Sequence, residues 1–543
     1  MSGIPDMQHD SGDPRSSATT DDQIMSNAQT PLTRDVTVGT HPLSIADVVA
    51  VSRHNAHVIL DEGALGRVER ARAVVEGLAH DREPHYGIST GFGALATTFI
   101  PTERRAQLQA SLVRSHAAGS GPEVEREVVR ALMLLRLATL MTGNTGIRRR
   151  TVETYAALLN NDITPVVREY GSLGCSGDLA PLAHCALAAL GEGEVRVAGE
   201  LLPARTALSR AGIEPLILAE KEGLALINGT DGMLGILCLA VHDLGDLLVT
   251  ADISAALSIE ALLGTDTVFA DDLQKLRPHP HQAVSATNLR TLLNASPLVA
   301  SHKGPDCTRV QDAYSLRCTP QVHGGARETL AHARRVADYE LASAIDNPVL
   351  TDDGRVESNG NFHGAPIAYV LDFLAIVIAD VASMAERRTD RFLDPARNQG
   401  LSAFLAHEVG VDSGLMIAQY TAAGIVSELK RLASPASVDS IPSSAMQEDH
   451  VSMGWAAARK LRRALDGLTR VLAIEIMTAS RAADLRAPLQ QGPATHAVTE
   501  AVRERVSGPG PDRYLSPEIE ATADLVHAGS IRNAAEAVTG PLQ

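Results

Sequence analysis

Aromatic side chains are scarce. Seven Phe, eight Tyr and one Trp make up 3 % of 543 residues, while the hydrophobic share as a whole is 45 %. The core must therefore be filled by Ala, Leu, Val and Ile, which suits closely packed helices. Cysteine is sparse too. Cys175, Cys185, Cys238, Cys307 and Cys318 are scattered and contain no C-x-x-C pair. That pattern excludes a disulfide framework and a zinc site of the usual spacing, and it points to a reducing cytoplasm. Positive charge is in deficit, with a formal net charge of −17. Nucleic-acid binding needs clustered Lys and Arg, so that class is excluded, and the acidity serves solubility. No apolar h-region stands near the N-terminus, so no signal peptide is expected. The most apolar run, Ile367 to Met384, carries Asp372 and Asp380 and reads as a buried helix rather than a membrane span.

What is present is length enough for two to four domains. Residues 1–42 are rich in Asp, Ser, Thr and Gln, which predicts a disordered tail with Met7 and Met25 as alternative starts. Order is expected from about Leu43. Residues 123–159 read as helix broken at Thr142–Gly146, and 191–199 as a short hairpin. From Met233 the chain reads as helical, with Gly414–Ala433 and Val451–Ala479 apolar nearly all round. His279 and His281 are separated by a proline and lack an acidic or cysteine set, so no metal site is expected there.

One stretch organises the rest: Gly171-Ser-Leu-Gly-Cys175-Ser176-Gly177-Asp178-Leu-Ala-Pro181-Leu-Ala-His184. Glycines flank Cys175 and Ser176, so the backbone can bend there. Asp178 reads as an N-cap and Pro181 fits a first helical turn. The tripeptide thus precedes a helix N-terminus, which favours negative charge. Three uses compete. It is a plain turn before a buried helix; or Ser176 is a nucleophile, although the spacing is not G-x-S-x-G and no strand-like run leads in; or the backbone cyclises. In the last case the Gly177 nitrogen reaches the Cys175 carbonyl carbon, two waters leave, and 4-methylidene-imidazol-5-one remains.

Other motifs carry polar residues in suggestive places. Tyr86-Gly-Ile-Ser89-Thr-Gly-Phe-Gly93 is a loop. Ser115-His116 lies near a helix end. Asn228-Gly-Thr ends an apolar run, where the asparagine could be a cap. Gln311, Tyr314 and Arg317 share a helix face at i, i+3 and i+6, or converge from a loop. Phe362 sits in a loop before the Ile367 helix. Glu448 belongs to the irregular Ser- and Pro-rich segment 437–450.

From about residue 42 to about 510 these motifs together resemble the histidine and phenylalanine ammonia-lyases. The usual tripeptide of that family is Ala-Ser-Gly; Cys175 replaces the alanine and gives only main-chain atoms to the ring. The resemblance implies an all-α fold, a long central helical bundle of the ammonia-lyase and fumarase-like type with a smaller, loop-rich N-terminal domain. It implies a tail at 1–42, an electrophile-bearing domain at 43–235, the bundle at 236–515 and a C-terminal helical segment at 516–543. It implies that Cys175, Ser176 and Gly177 form the methylidene-imidazolone, with no external cofactor and no metal. Tyr86 would handle protons and close over the substrate, and Asn228 would contact the ring. Tyr314 would be the base at the β-carbon, Arg317 the carboxylate clamp, Gln311 an orienting group and Phe362 a packing partner. Ser115-His116 matches the histidine-specific type, and Glu448 corresponds to the acid that reads an imidazole. The implied reaction is L-histidine to trans-urocanate and ammonia in a homotetramer whose sites draw on several subunits, with no nucleic acid and no membrane involved. Ser89, Ala313 and Met446 depart from the usual Asn, Pro and Asn. The rival readings are tyrosine or phenylalanine deamination, a 2,3-aminomutase, and a catalytically silent helical scaffold.

Overall fold

The computed structural model describes residues 35–543 apart from Arg82, Phe92, Pro305, Asp306, Thr308 and Arg309. Met7, Met25 and the rest of the expected tail up to residue 34 lie outside the described residues. The end of that segment departs from the expectation. Val36–Val38 is a strand paired in parallel with Val58–Leu60. Its Val-Thr-Val alternation turns both valines inward, and both are buried. Order therefore extends at least to Val36 rather than starting at Leu43.

The protein is built mainly of helices. Asp231–Ala261, Ala365–Leu393 and Gly454–Asp484 run side by side in the same direction. Their starts meet so tightly that a Cβ on Gly364 or Gly454 would fall 2.5 or 2.6 Å from Met233 Sδ. Their far ends are tied by ionic and hydroxyl contacts. Ser258 Oγ donates to Glu475 Oε1 at 2.6 Å, and Arg388 Nε and Nη2 donate to the same carboxylate at 2.5 and 3.0 Å. Thr319–Leu341 and Met416–Leu432 run back in the opposite sense, the second ending where Lys460 Nζ donates to the Leu432 carbonyl at 2.8 Å. The interfaces are Leu, Ile, Val and Ala, as the shortage of aromatics required. Each fully buried Leu, Ile or Val contributes about 1.5–3 kcal/mol.

Asp231–Ala261 and Ala365–Leu393 are long and apolar enough to span a membrane by composition, yet most of each apolar window is buried against other helices. Within the second, Asp372 is buried, accepts from Ser437 N at 2.8 Å and pairs with Lys460. The core-helix reading of 367–384 accounts for these contacts.

The expected break between 235 and 236 falls inside the Asp231–Ala261 helix; the chain turns earlier, at Gly229–Thr230. Residues 516–543 form two helices, Ser516–His527 and Ser530–Thr539, laid on the bundle with Ile531 and Ala535 buried. The segment before Asp231 holds shorter helices and small sheets. Arg126–Leu140 and Arg149–Asn160 flank the expected break, and Glu194–Val197 with Glu200–Pro203 forms the expected hairpin.

Candidate functional site: a glycine-bound turn at four helix starts

A three-residue strand, Arg168–Tyr170, leads into the central loop, contrary to the reading that no strand precedes it. The Trp455 indole N–H donates to the Glu169 carbonyl at 2.7 Å and fixes that approach. The chain then turns tightly, with Gly174 at φ +73° and Gly177 at φ +77°. These are left-handed values that favour glycine. At Gly177 space excludes any other residue, because a Cβ would stand 1.9 Å from the Gly229 carbonyl oxygen. Gly174 and Gly177 bridge across Cys175 and Ser176. The loop is held from outside as well: Asp178 N donates to Gly229 O at 2.7 Å and Met453 N to Leu173 O at 3.0 Å.

Asp178 occupies the N-cap position of Leu179–Ala189, but its carboxylate does not cap that helix. It accepts instead from Met233 N at 2.8 Å, in the first turn of the long helix, and from Ser172 Oγ at 3.0 Å. Burial pushes this carboxyl up to about 7, against the pull of those donors. The helices starting at Leu179, Asp231, Ala365 and Gly454 thus all begin around one loop. Four positive dipole ends converge on it, a setting that stabilises developing negative charge.

Ser176 Oγ donates to Asn228 Oδ1 at 2.8 Å. Its partner is a carboxamide and not a histidine, which removes the base a serine nucleophile needs. Asn228 is not the cap of the following helix; it ends the short helix Glu222–Ile227. Its Nδ2 donates to Asn347 O at 2.7 Å, and Arg136 Nη1 donates to its carbonyl at 2.6 Å.

His116 closes the helix Arg105–His116, and Gly119 N just beyond donates to His184 Nε2 at 3.1 Å. His116 Nδ1 is 2.9 Å from the Leu112 carbonyl, so Nδ1 carries the hydrogen and Nε2 is left as the acceptor. Burial lowers its pKa, against the Leu112 carbonyl and the Glu448 carboxylate, which raise it. Glu448 is oriented by Ser443 Oγ at 3.0 Å. Burial and that same carboxylate push the Cys175 thiol up to about 12. Tyr86 lies half-buried, its hydroxyl accepting from Gly93 N at 3.2 Å, and the turn Gly93–Leu95 rests against the Ser444–Met446 turn that precedes Glu448. Phe362 is half-buried two residues before Gly364, at the same end of the bundle. His116, Cys175, Ser176, Gly177, Asn228, Phe362, Glu448 and Tyr86 therefore gather at one end of one chain.

Gln311, Tyr314 and Arg317 do not join them. Tyr314–Arg317 is a single helical turn, Gln311 precedes it outside any helix, and Tyr314 is 70 % exposed. Arg388 Nη1 donates to Ser315 O at 3.2 Å, which anchors this turn near the far end of Ala365–Leu393. At 1.5 Å per residue the separation along that helix is about 35 Å.

A family model for aromatic amino acid lyases matches residues 43–504. The chain belongs to the aromatic amino acid lyase family. This lyase is 61 % identical over 509 residues to a protein named histidine ammonia-lyase from Streptomyces avermitilis, across 93 % of this chain and 99 % of the relative. A second relative of the same name, from Streptomyces coelicolor, is 60 % identical over 516 residues, across 94 % of this chain and 99 % of its own. Among solved structures, a histidine ammonia-lyase from Trypanosoma cruzi matches with TM-score 0.85 and 36 % identity, covering 93 % of this chain and 95 % of that one. A tyrosine aminomutase from Streptomyces globisporus matches with TM-score 0.88 and 37 % identity, covering 94 % and 100 %. The lyase is a carbon–nitrogen lyase of the ammonia-lyase class, and its fold is the all-helical bundle of these enzymes.

The family is generally dependent on a methylidene-imidazolone. The residues here fit that group: the turn brings Cys175 and Gly177 into a bridge, Gly177 has no room for a side chain, and the Ser176 hydroxyl has a fixed acceptor. Reading the sequence missed Arg136, Asn347 and the Ser452–Gly454 segment, all of which brace the loop. Arg136 left a signal, the single charged residue in the otherwise apolar stretch 131–140. The other two contacts are long-range and left none.

Proposed function

We propose that this lyase deaminates L-histidine to trans-urocanate and ammonia, using an electrophile formed from Cys175, Ser176 and Gly177. The observation that carries the substrate assignment is the Glu448 carboxylate, close enough to the Cys175 thiol and to His116 to act on both. A substrate imidazole has one N–H and one lone-pair nitrogen. The Glu448 carboxylate accepts the N–H, and an apolar phenyl ring would offer that carboxylate no donor. The names of the most similar relatives support the same reading.

The cyclised group would supply an electron-poor carbon that makes the substrate's amine a better leaving group. The chain's own residues do the rest. Asn228 and the four helix starts hold the loop and meet the charge that develops there. Arg317 takes the carboxylate as a two-pronged donor, Gln311 orients the substrate, and Tyr314 removes the β-proton. Tyr86 shields the site and handles protons, and Phe362 packs beside the ring. Because Tyr314 stands about 35 Å along the bundle from Ser176 in one chain, the site is completed by another copy. The homotetramer reading draws on that separation and on the exposed apolar face of Tyr369, Phe373 and Ile376 on one bundle helix. A cytoplasmic setting suits the five free cysteines.

The test is incubation with L-histidine, L-tyrosine and L-phenylalanine in turn, following the ultraviolet absorbance of each unsaturated product. Urocanate from histidine, with little turnover of the other two, is the expected result. Deamination of tyrosine in preference, or a β-amino acid as product, would replace this reading with one of its rivals.

A further inference from the structure

Behind Asn228 runs a chain of hydrogen bonds that ends on a buried ion pair. Lys221 and Asp346 are 0 % and 1 % exposed, with Nζ 2.5 Å from Oδ2. The other carboxylate oxygen of Asp346 accepts from Asn347 N at 2.8 Å. The Asn347 carbonyl accepts from Asn228 Nδ2 at 2.7 Å, and Asn228 Oδ1 accepts from Ser176 at 2.8 Å. Further contacts hold the 345–347 segment, among them Ser358 Oγ donating to Asn347 Oδ1 at 3.1 Å. Arg136 Nη2 donates to Ile345 O at 2.7 Å, Asn359 Nδ2 to Asp346 O at 2.9 Å, and Asn359 N to Asn347 Oδ1 at 3.0 Å. Lys221 opens the short helix that Asn228 ends, so the same segment grips both ends of it.

A carboxamide has two faces of opposite hydrogen-bonding character. Nothing in Asn228 itself decides whether oxygen or nitrogen points at Ser176. The Asn347 carbonyl decides it, because it accepts only, and so it draws Nδ2 and leaves Oδ1 for the serine. A single buried charge at either Lys221 or Asp346 would be costly, so the pair must be kept or lost together. We infer that Asp346, its buried charge balanced by Lys221, is a positioning residue: by accepting from the Asn347 N–H it sets the Asn228 amide so that its oxygen receives the Ser176 hydroxyl, and it thereby sets the rate at which the tripeptide cyclises. Cyclisation and loss of two waters involve only atoms of 175–177; Lys221 and Asp346 touch none of them.

This inference rests on the proposed electrophile, and intact mass separates the two. The measurement is the fraction of chains lighter by about 36 Da, the mass of two waters, followed over time after synthesis together with the thermal unfolding midpoint. Lys221→Met/Asp346→Asn removes both charges but keeps an oxygen that accepts from Asn347 N; its cyclisation rate is expected within about twofold of the parent. Lys221→Met/Asp346→Leu removes that acceptor as well and is expected to cyclise at least tenfold more slowly. Asn359→Ala, at a half-exposed position, loosens the same segment without burying a charge and is expected to slow cyclisation severalfold; it carries the test if the leucine variant does not fold. Parental rates in the folded leucine variant or in Asn359→Ala, or cyclisation slowed as much in the asparagine variant as in the leucine one, would overturn the inference. A parent chain that never loses mass would overturn the electrophile instead.

Discussion

Arg317 lies over the ring of Tyr314, its guanidinium carbon 4.5 Å from the ring centroid, and both stand at the far end of the bundle from Ser176. The proposed base and the proposed electrophile therefore serve one reaction only if they come from different chains. Ser176→Ala and Tyr314→Phe should each abolish turnover alone, the second by about 10²–10⁴-fold. Co-expressed, they should form hybrids with some sites carrying both native residues. Activity well above that of either variant is the expected result, and an assay of the co-purified hybrid checks it.

The Arg388–Glu475 pair joins two of the long helices and holds the Ser315 carbonyl beside Tyr314, with both side chains fully buried. Removing one partner leaves an unpaired charge in the core. Arg388→Met should cost about 3–5 kcal/mol, read from urea unfolding. The double change Arg388→Met/Glu475→Leu should recover much of that stability.

Asp178 gives the protein a stability that depends on pH in a stated direction. Burial raises its folded-state pKa to about 7. Between about pH 4 and 7 the folded chain keeps a proton that the unfolded chain has released, so this group's contribution falls as pH rises through that window and is level above it. The full change is about 4 kcal/mol. Unfolding measured from pH 5 to 8 should show a shallower decline in Asp178→Asn than in the parent.

Much of the site was legible because it is made of local motifs. The glycines around Ser176, the Ser115-His116 pair and the Asn228-Gly turn each advertise a backbone need or a polar group out of place. The helices covering 367–384 and 454–479 were legible from long stretches rich in Ala, Leu, Ile and Val. What the sequence hid was relations across the fold. Asp178 reads as the cap of its own helix, yet it spends its carboxylate on Met233, 55 residues away. The motif at Gln311, Tyr314 and Arg317 reads as part of the same site, yet a helix of 29 residues separates it from the loop. Val36–Val38 was lost in a polar stretch because three residues carry too little pattern to register against their surroundings.

Cys175 should be a poor nucleophile although it borders the site. With its thiol pushed up to about 12, the thiolate fraction near neutral pH is on the order of 10⁻⁴–10⁻⁵. Brief alkylation near pH 7.5 should label the exposed Cys307 and spare Cys175. Peptide mapping of the adducts checks this, and early labelling at Cys175 with matching loss of activity would contradict it.

The central claim is that Cys175, Ser176 and Gly177 are no longer an ordinary peptide in the working enzyme. Intact mass of active protein, followed by mapping of the peptide that spans Gly171 to His184, tests it most directly. A deficit of about 36 Da confined to that peptide is the expected result. A full-mass peptide in protein that still turns histidine into urocanate would contradict the account.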